Sequence, residues 1–201
     1  MIRRGQRDIN SALVETEVTI APFAQTDRRR RTKGDRRVQE LQSTITSAFQ
    51  AHLFTHLYPR SSITISLHIL SLDGALLAAC LNAASLALVD AGVPMPSILA
   101  AVTSGMIISP DGSTPSDPVL DLNNAEELEL PFLSVATVAG FNKDEEDKVS
   151  VLIMESRIQI GPEGKKLEAM LAVGVDGCKQ VRAIMEGVVR NHGSRTLQGR
   201  K

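Results

Sequence analysis

One run limits what this chain can fold into more than any other: SLDGALLAACLNAASLALVDAGVPM, from Ser71 to Met95. Between Ala75 and Val89 it is apolar apart from Asn82 and Ser85, with Asp73-Gly74 before it and Asp90 and Gly92-Val93-Pro94 after it. A turn dipeptide, an apolar run and a Gly-x-Pro stop predict a tight helix packed into a core. Ala79, Ala83 and Ala87, with Ala84 and Ser85 beside them, offer a low-relief surface that a sheet or another helix could approach closely. The start of this helix poses a chemical question. A helix N-terminus suits an anion, yet the residues here are Ala75, Leu76 and Leu77, with neither hydroxyl nor cation.

Strands to pack against such a helix are legible on both sides of it. Val14, Thr16, Val18 and Ile20 alternate with Glu15, Glu17 and Thr19, and Ile63, Ile65, Leu67 and Ile69 alternate with Thr64, Ser66 and His68. Further strands are expected in ILAAVTSGMII, LPFLSVATVAGF and KVSVLIMESRI, the last two joined as a hairpin across Asn142 to Lys148. Val38, Leu41, Ile45, Phe49 and Leu53 recur at helical spacing until Tyr58-Pro59. From Glu163 a second long stripe runs through Leu167, Leu171, Gly174, Cys178, Val181, Met185 and Val188 and closes at His192-Gly193, which leaves 191–201 as a loose basic tail. Strands and helices mix without strict alternation, so the fold class is α+β, helices on a largely antiparallel or mixed sheet, in a single domain over 1–201. The first strand is left without a defined hairpin partner.

At 201 residues and 43% hydrophobic the chain can bury a sizeable core. Cys80 and Cys178 both fall in apolar helical patterns and read as buried thiols of a reducing compartment. MIRRGQRDINSALVETEV lacks the apolar centre of a signal peptide, and Ala75 to Val89 is shorter than the ~20 residues that span a bilayer, so no membrane partner is indicated. With no Trp, one Tyr and five Phe, few rings are available for base stacking. Contact with nucleic acid would rest mainly on charge. A net charge of -1 conceals that charge, because Arg28, Arg29, Arg30, Arg31, Lys33, Arg36 and Arg37 form one basic block.

Asp35 is a plausible N-cap for the helix after this block, which puts Arg36 and Arg37 in its first turn. There the macrodipole disfavours each cation by ~0.3–1 kcal/mol, so the pair calls for an anion, and a phosphate would fit both guanidinium forks and free amides. A solvated charge run is the competing reading. His52 and His56 stand four apart, as if on one helix, but lack a third ligand; His68 and His192 have no nucleophile beside them. Asp117, Asp121, Glu126, Glu127 and Glu129 crowd one loop and could hold Mg²⁺, although solvated carboxylates are the simpler account. No Walker A or dinucleotide fingerprint accompanies them. The site reading is therefore no metal and no cofactor.

Taken together, APFAQTDRRRRTKGDRR, LYPRSSITISLHILSLDGALLAACLNAASLALVDAGVPM and DPVLDLNNAEELELPFLSVATV resemble the ribonuclease PH-like proteins. Among these the likeness is greatest to the ring subunit of the eukaryotic, fungal-type RNA exosome that corresponds to the catalytic-type chain of the archaeal complex. The resemblance implies a two-layer α+β domain and assembly with other ribonuclease PH-like subunits into a hetero-hexameric ring. It also implies cap subunits and a separate catalytic nuclease as partners, RNA in a central channel, and a location in nucleus, nucleolus and cytoplasm. It further implies that the chain is N-terminally shortened, without the family's first β-hairpin.

Active members of that family degrade RNA from its 3′ end by phosphorolysis, gripping phosphate with a small hydroxyl and an Arg at the helix start and using a pair of Asp before the Pro-Phe strand. Arg36 and Arg37 match the family's RNA-contacting arginines. The other positions depart from its pattern: Leu76 and Leu77 stand at the phosphate grip, and Glu127 and Glu129 replace the Asp pair in a shortened loop. The expectation is a degenerate catalytic site at Leu76, Leu77, Glu127 and Glu129, in a non-catalytic subunit that serves as scaffold and channel lining for RNA processing and decay, ribosomal RNA maturation included. The alternative is an active phosphate-dependent 3′-to-5′ exoribonuclease in which Glu127 and Glu129 take over. A third reading is a structural domain that only binds its neighbours.

Overall fold

The structure, a computed structural model, describes residues 11–25, 35–107, 117–140, 147–154 and 165–198. They form two compact units, each with its own sheet: one comprises the residues through Ser71 together with Val93–Pro96, the other Leu72–Gly92 together with the residues from Ser97 onward.

In the first unit, strand β1 (Leu13–Ile20) leads through helix α1 (Arg36–His52) and a 3-10 turn (Thr55–Leu57) to strand β2 (Ser62–Ile69). The sequence leaves β1 without a hairpin partner; its partner is β2, parallel and in register from Leu13 opposite Ser62 to Ile20 opposite Ile69. Parallel pairing needs a crossover, and the stretch containing α1 supplies it. The alternating pattern of β1 buries Val14, Val18 and Ile20, while α1 buries Ile45, Ala48 and Phe49. Gln50 ties α1 to β1: its Oε1 accepts the N–H of Val14 at 2.9 Å and its Nε2 donates to the carbonyl of Ala12 at 3.3 Å. Helix α1 ends at His52, short of Tyr58-Pro59, because Leu53 turns extended.

The second unit carries helix α2 (Leu76–Asp90), strands β3 (Ala100–Met106) and β4 (Pro118–Leu120), helix α3 (Asn124–Glu129), strands β5 (Phe132–Val138) and β6 (Lys148–Met154), and helix α4 (Lys165–Gln198). Its sheet runs β4-β3-β5-β6, antiparallel throughout. The chain is thus α+β with mixed strand senses. Met170, Cys178 and Met185 of α4 share a core cluster with Val102 and Met106 of β3 and Leu133 and Val135 of β5. A Cβ at Gly177 would lie 2.8 Å from a terminal methyl of Leu120, so α4 passes close to β4 at this position.

The two polar residues inside the apolar run of α2, Asn82 and Ser85, explain themselves here. Strand β4 reaches no further along β3 than Ser104, which leaves the start of β3 without a strand on that side. Asn82 fills in, donating to the carbonyl of Ala101 at 2.9 Å and accepting its N–H at 2.8 Å, and Ser85 donates to the carbonyl of Leu99 at 2.8 Å. Side chains thus pair edge backbone that would otherwise be unsatisfied.

Three expectations are corrected. Of the residues expected on the close-approach face, Ala84 and Ser85 are buried, but Ala79, Ala83 and Ala87 are exposed, and Ala78, Leu81 and Leu88 complete the buried side in their place. Helix α4 does not stop at His192-Gly193 but continues to Gln198, and the hydroxyls of Ser194 and Thr196 bond back to the carbonyls of Arg190 and His192. The acidic segment read as one loop contains β4 and α3.

Both cysteines are free and buried, in keeping with the sequence reading. Burial pushes the Cys80 thiol up to about 11. It raises the Cys178 thiol too, against smaller lowering contributions from Thr137 and the Arg182 guanidinium.

Candidate functional site

The start of α2 is built from the turn before it. Gly74 has a φ of +86° and lies so close to the backbone of the Leu122–Asn123 segment that a Cβ would come within 2.7 Å of the Asn123 carbonyl carbon, so only glycine fits. Ala75, the N-cap, is left-handed at φ +46° and has no side chain with which to cap. The first turn of α2 contains no acidic residue, and half-buried Leu76 and Leu77 open it.

Helix α3 faces this mouth. Asn123 and Glu126 form a reciprocal capping box, with Asn123 Oδ1 accepting from Ala125 and Glu126 at 2.9 Å and Glu126 Oε2 accepting from Asn123 at 2.8 Å. Asn124 N–H donates to Asp73 Oδ1 at 3.4 Å. Glu127 then reaches the mouth itself: its Oε1 accepts the N–H of Ala75 at 2.7 Å.

Of the four positions expected to form a degenerate catalytic site, Leu76, Leu77 and Glu127 therefore gather at the α2 mouth, whereas Glu129 is the last residue of α3, two positions beyond the carboxylate that reaches it. The N-x-x-E spacing of Asn123 and Glu126 was the signal that could have revealed α3 in the sequence.

Beside the mouth lies a cleft of about 340 Å³ between α2, the sheet and α4. Ala75, Ala78, Asn82, Thr103, Asp121 and Gln180 are among its lining residues, with Val102, Leu120, Val181 and Ile184 as its larger apolar ones. Among the described residues, Asp121 is the only charged one in the lining, and none of the others is Lys, Arg or His. Asn82 is already committed to Ala101, so among the described lining residues an anion meets no cation and is left with neutral donors such as Gln180.

Arg36 and Arg37 belong to the other unit, in the first turn of α1 as expected. Asp35 is the N-cap, accepting the N–H of Arg37 at 3.1 Å. Arg36 Nε pairs with Glu40 at 3.3 Å, both side chains well exposed at 91% and 66%, so the contact contributes little and leaves the guanidinium available. Arg28, Arg29, Arg30 and Arg31 lie outside the described residues. His52 is buried at the end of α1, and His56 belongs to the following 3-10 turn with its ring edge-on to Phe54, so the two do not share a helix. Among the described residues no group of three or more His, Cys, Asp and Glu is placed to hold a metal ion, and no helix is long and apolar enough to cross a membrane.

A parallel strand pair joined through a capped helix, followed by an antiparallel sheet carrying a long C-terminal helix, is the ribonuclease PH type of fold. Residues 2–94 match the model of the RNase PH 3′ exoribonuclease family, domain 1. The chain is 34% identical over 177 residues to the exosome complex component ski6 of Schizosaccharomyces pombe, which covers 88% of this chain and 66% of that protein. It is 32% identical over 182 residues to the exosome complex component RRP41 of Homo sapiens, covering 90% and 68% respectively. Among solved structures, rice Rrp46 superposes with a TM-score of 0.71 at 20% identity over 94% of this chain and 78% of that one, a likeness of fold. The chain belongs to the RNase PH family of 3′ exoribonucleases, and it spans about two thirds of the length of these two exosome relatives.

Proposed function

We propose that this chain is a non-catalytic ring subunit of an RNA exosome, a scaffold whose first-unit arginines line the path of RNA. The exosome part is supported by relatives that are themselves named exosome complex components. Its partners on this reading are other ribonuclease PH-like subunits in a hetero-hexameric ring, cap subunits, a separate nuclease and RNA, in nucleus, nucleolus and cytoplasm. The processes it serves are RNA decay and processing, ribosomal RNA maturation included.

The non-catalytic part rests on one observation: among the described residues, the cleft beside the α2 mouth is lined by a carboxylate and no cation. Phosphorolysis needs a phosphate dianion held next to the scissile link, and moving such a charge against Leu76, Leu77 and an acid without a counter-charge is strongly unfavourable. Arg36 and Arg37, being exposed, suit the other task, which needs only a positive surface along a flexible backbone.

The deciding experiment incubates the purified chain, alone and with candidate ring partners, with single-stranded RNA, Mg²⁺ and inorganic phosphate. No nucleoside diphosphate is expected in either case. Its release by this chain's own site, abolished by Glu127→Gln with Glu129→Gln, would establish the active exoribonuclease instead.

A further inference from the structure

The cleft between α2, the sheet and α4 sets an apolar wall beside an acid that the fold itself does not use. Asp121 directly follows β4: its N–H donates to the carbonyl of Thr103 at 2.8 Å, and the next residue, Leu122, is buried in the core. These ties hold its backbone left-handed at φ +59°, a conformation that Asp and Asn accept more readily than other side chains. Among the described residues the Asp121 carboxylate makes no hydrogen bond and no ion pair, and the rest of the lining is neutral. At the rim Ile184 of α4 is 67% exposed, and Val188, one turn further along the helix, is 55% exposed.

We propose that this cleft is a socket for an arginine side chain of a partner protein, its guanidinium on Asp121 and its stem against Leu120, Val181 and Ile184. A lone carboxylate among neutral groups attracts a cation and repels a phosphate. Because the described lining holds only that one charge, a polyamine would leave its further ammonium groups against apolar walls without a counter-charge. A single cation on an aliphatic stem matches the lining instead. Arginine suits it better than lysine, since the planar guanidinium grips a carboxylate with two parallel bonds, sheds water more readily, and has N–H groups left over for the Gln180 amide oxygen. A free guanidinium would leave Ile184 and Val188 in water, whereas a chain that carries it covers them, as apolar contacts do around arginine anchors at protein interfaces. The partner is a neighbouring ring subunit on the exosome reading, on which this identity rests; the preference for a cation rests on the cleft alone.

The test is amide NMR on the full chain with the capped peptide Leu-Arg-Leu, the same peptide with citrulline, a neutral mimic of arginine, in its place, and n-butylguanidinium. The arginine peptide should shift the amides of Thr103, Asp121 and Ile184 saturably, and bind about fivefold or more tightly than the citrulline peptide, the order expected of one ion pair at a protein surface. In Asp121→Asn, which keeps the left-handed turn and should leave the amide spectrum away from the cleft unchanged, the two peptides should bind alike. Equal binding of the two peptides to wild type, or an arginine preference that survives Asp121→Asn, overturns the socket. Butylguanidinium should bind more weakly than the arginine peptide; binding as tight as the peptide's would overturn the assignment to a partner chain. Failure of the arginine preference would leave the non-catalytic reading untouched, and release of nucleoside diphosphates would remove that reading while leaving the preference standing, so the two failures are told apart.

Discussion

Arg182 carries a full positive charge into the interior, where it is 6% exposed and has to find its partners within the protein. Its Nη1 meets Asp147 Oδ2 at 2.8 Å, its Nη2 donates to Thr137 Oγ1 at 2.6 Å and its Nε to the carbonyl of Ile98 at 3.2 Å. One side chain of α4 thus binds the approach to β3, the strand β5 next to its register shift, and the residue before β6. Removing one partner of such a pair strands the other charge, so Asp147→Asn should lower the unfolding free energy by about 3 kcal/mol or more in urea denaturation. Pairing it with Arg182→Met should recover part of that loss, since no buried charge is then left alone. A loss below about 1 kcal/mol for Asp147→Asn would mean that water reaches the guanidinium. Nothing local announces this residue: in the sequence Arg182 is one more charge next to a helical stripe, and its burial follows from where β5 and β6 happen to run.

At the scale of elements, carboxylates and amides of the chain itself close the helix starts. Asp35 closes α1 and Asn123 closes α3 from next door, and both follow from local spacing. Glu127 closes α2 from a distance, and no local pattern encodes that. The same contrast holds for Asn82, which reads as a flaw in an apolar helix and turns out to pair both backbone groups of Ala101. Replacing Asn82 by Leu should cost about 1–3 kcal/mol, the penalty for leaving buried backbone groups unpaired, and should speed hydrogen exchange at the Ala101 amide ahead of the rest of β3. Exchange at Ala101 unchanged by the substitution would show that another group or water serves that edge.

For the molecule as a whole, the RNA path is a matter of charge. Poor in aromatic rings, the chain has little beyond phosphate contacts with which to hold a strand. Replacing Arg36 and Arg37 with Ala should weaken binding to single-stranded RNA and flatten the dependence of log affinity on log salt by about 1.4, at roughly 0.7 per phosphate contact. An unchanged slope would remove these two residues from the RNA path. The amino-acid sequence by itself determined the α+β class, the principal strands and helices, the Asp35 cap and the family, because hydrophobic period, turn dipeptides and cap residues act over a few neighbours. The parallel partner of β1, the burial of Arg182 and the arrival of Glu127 at the α2 mouth were decided only by tertiary structure, since each joins residues that the chain holds tens of positions apart and that meet only after the elements between them have packed.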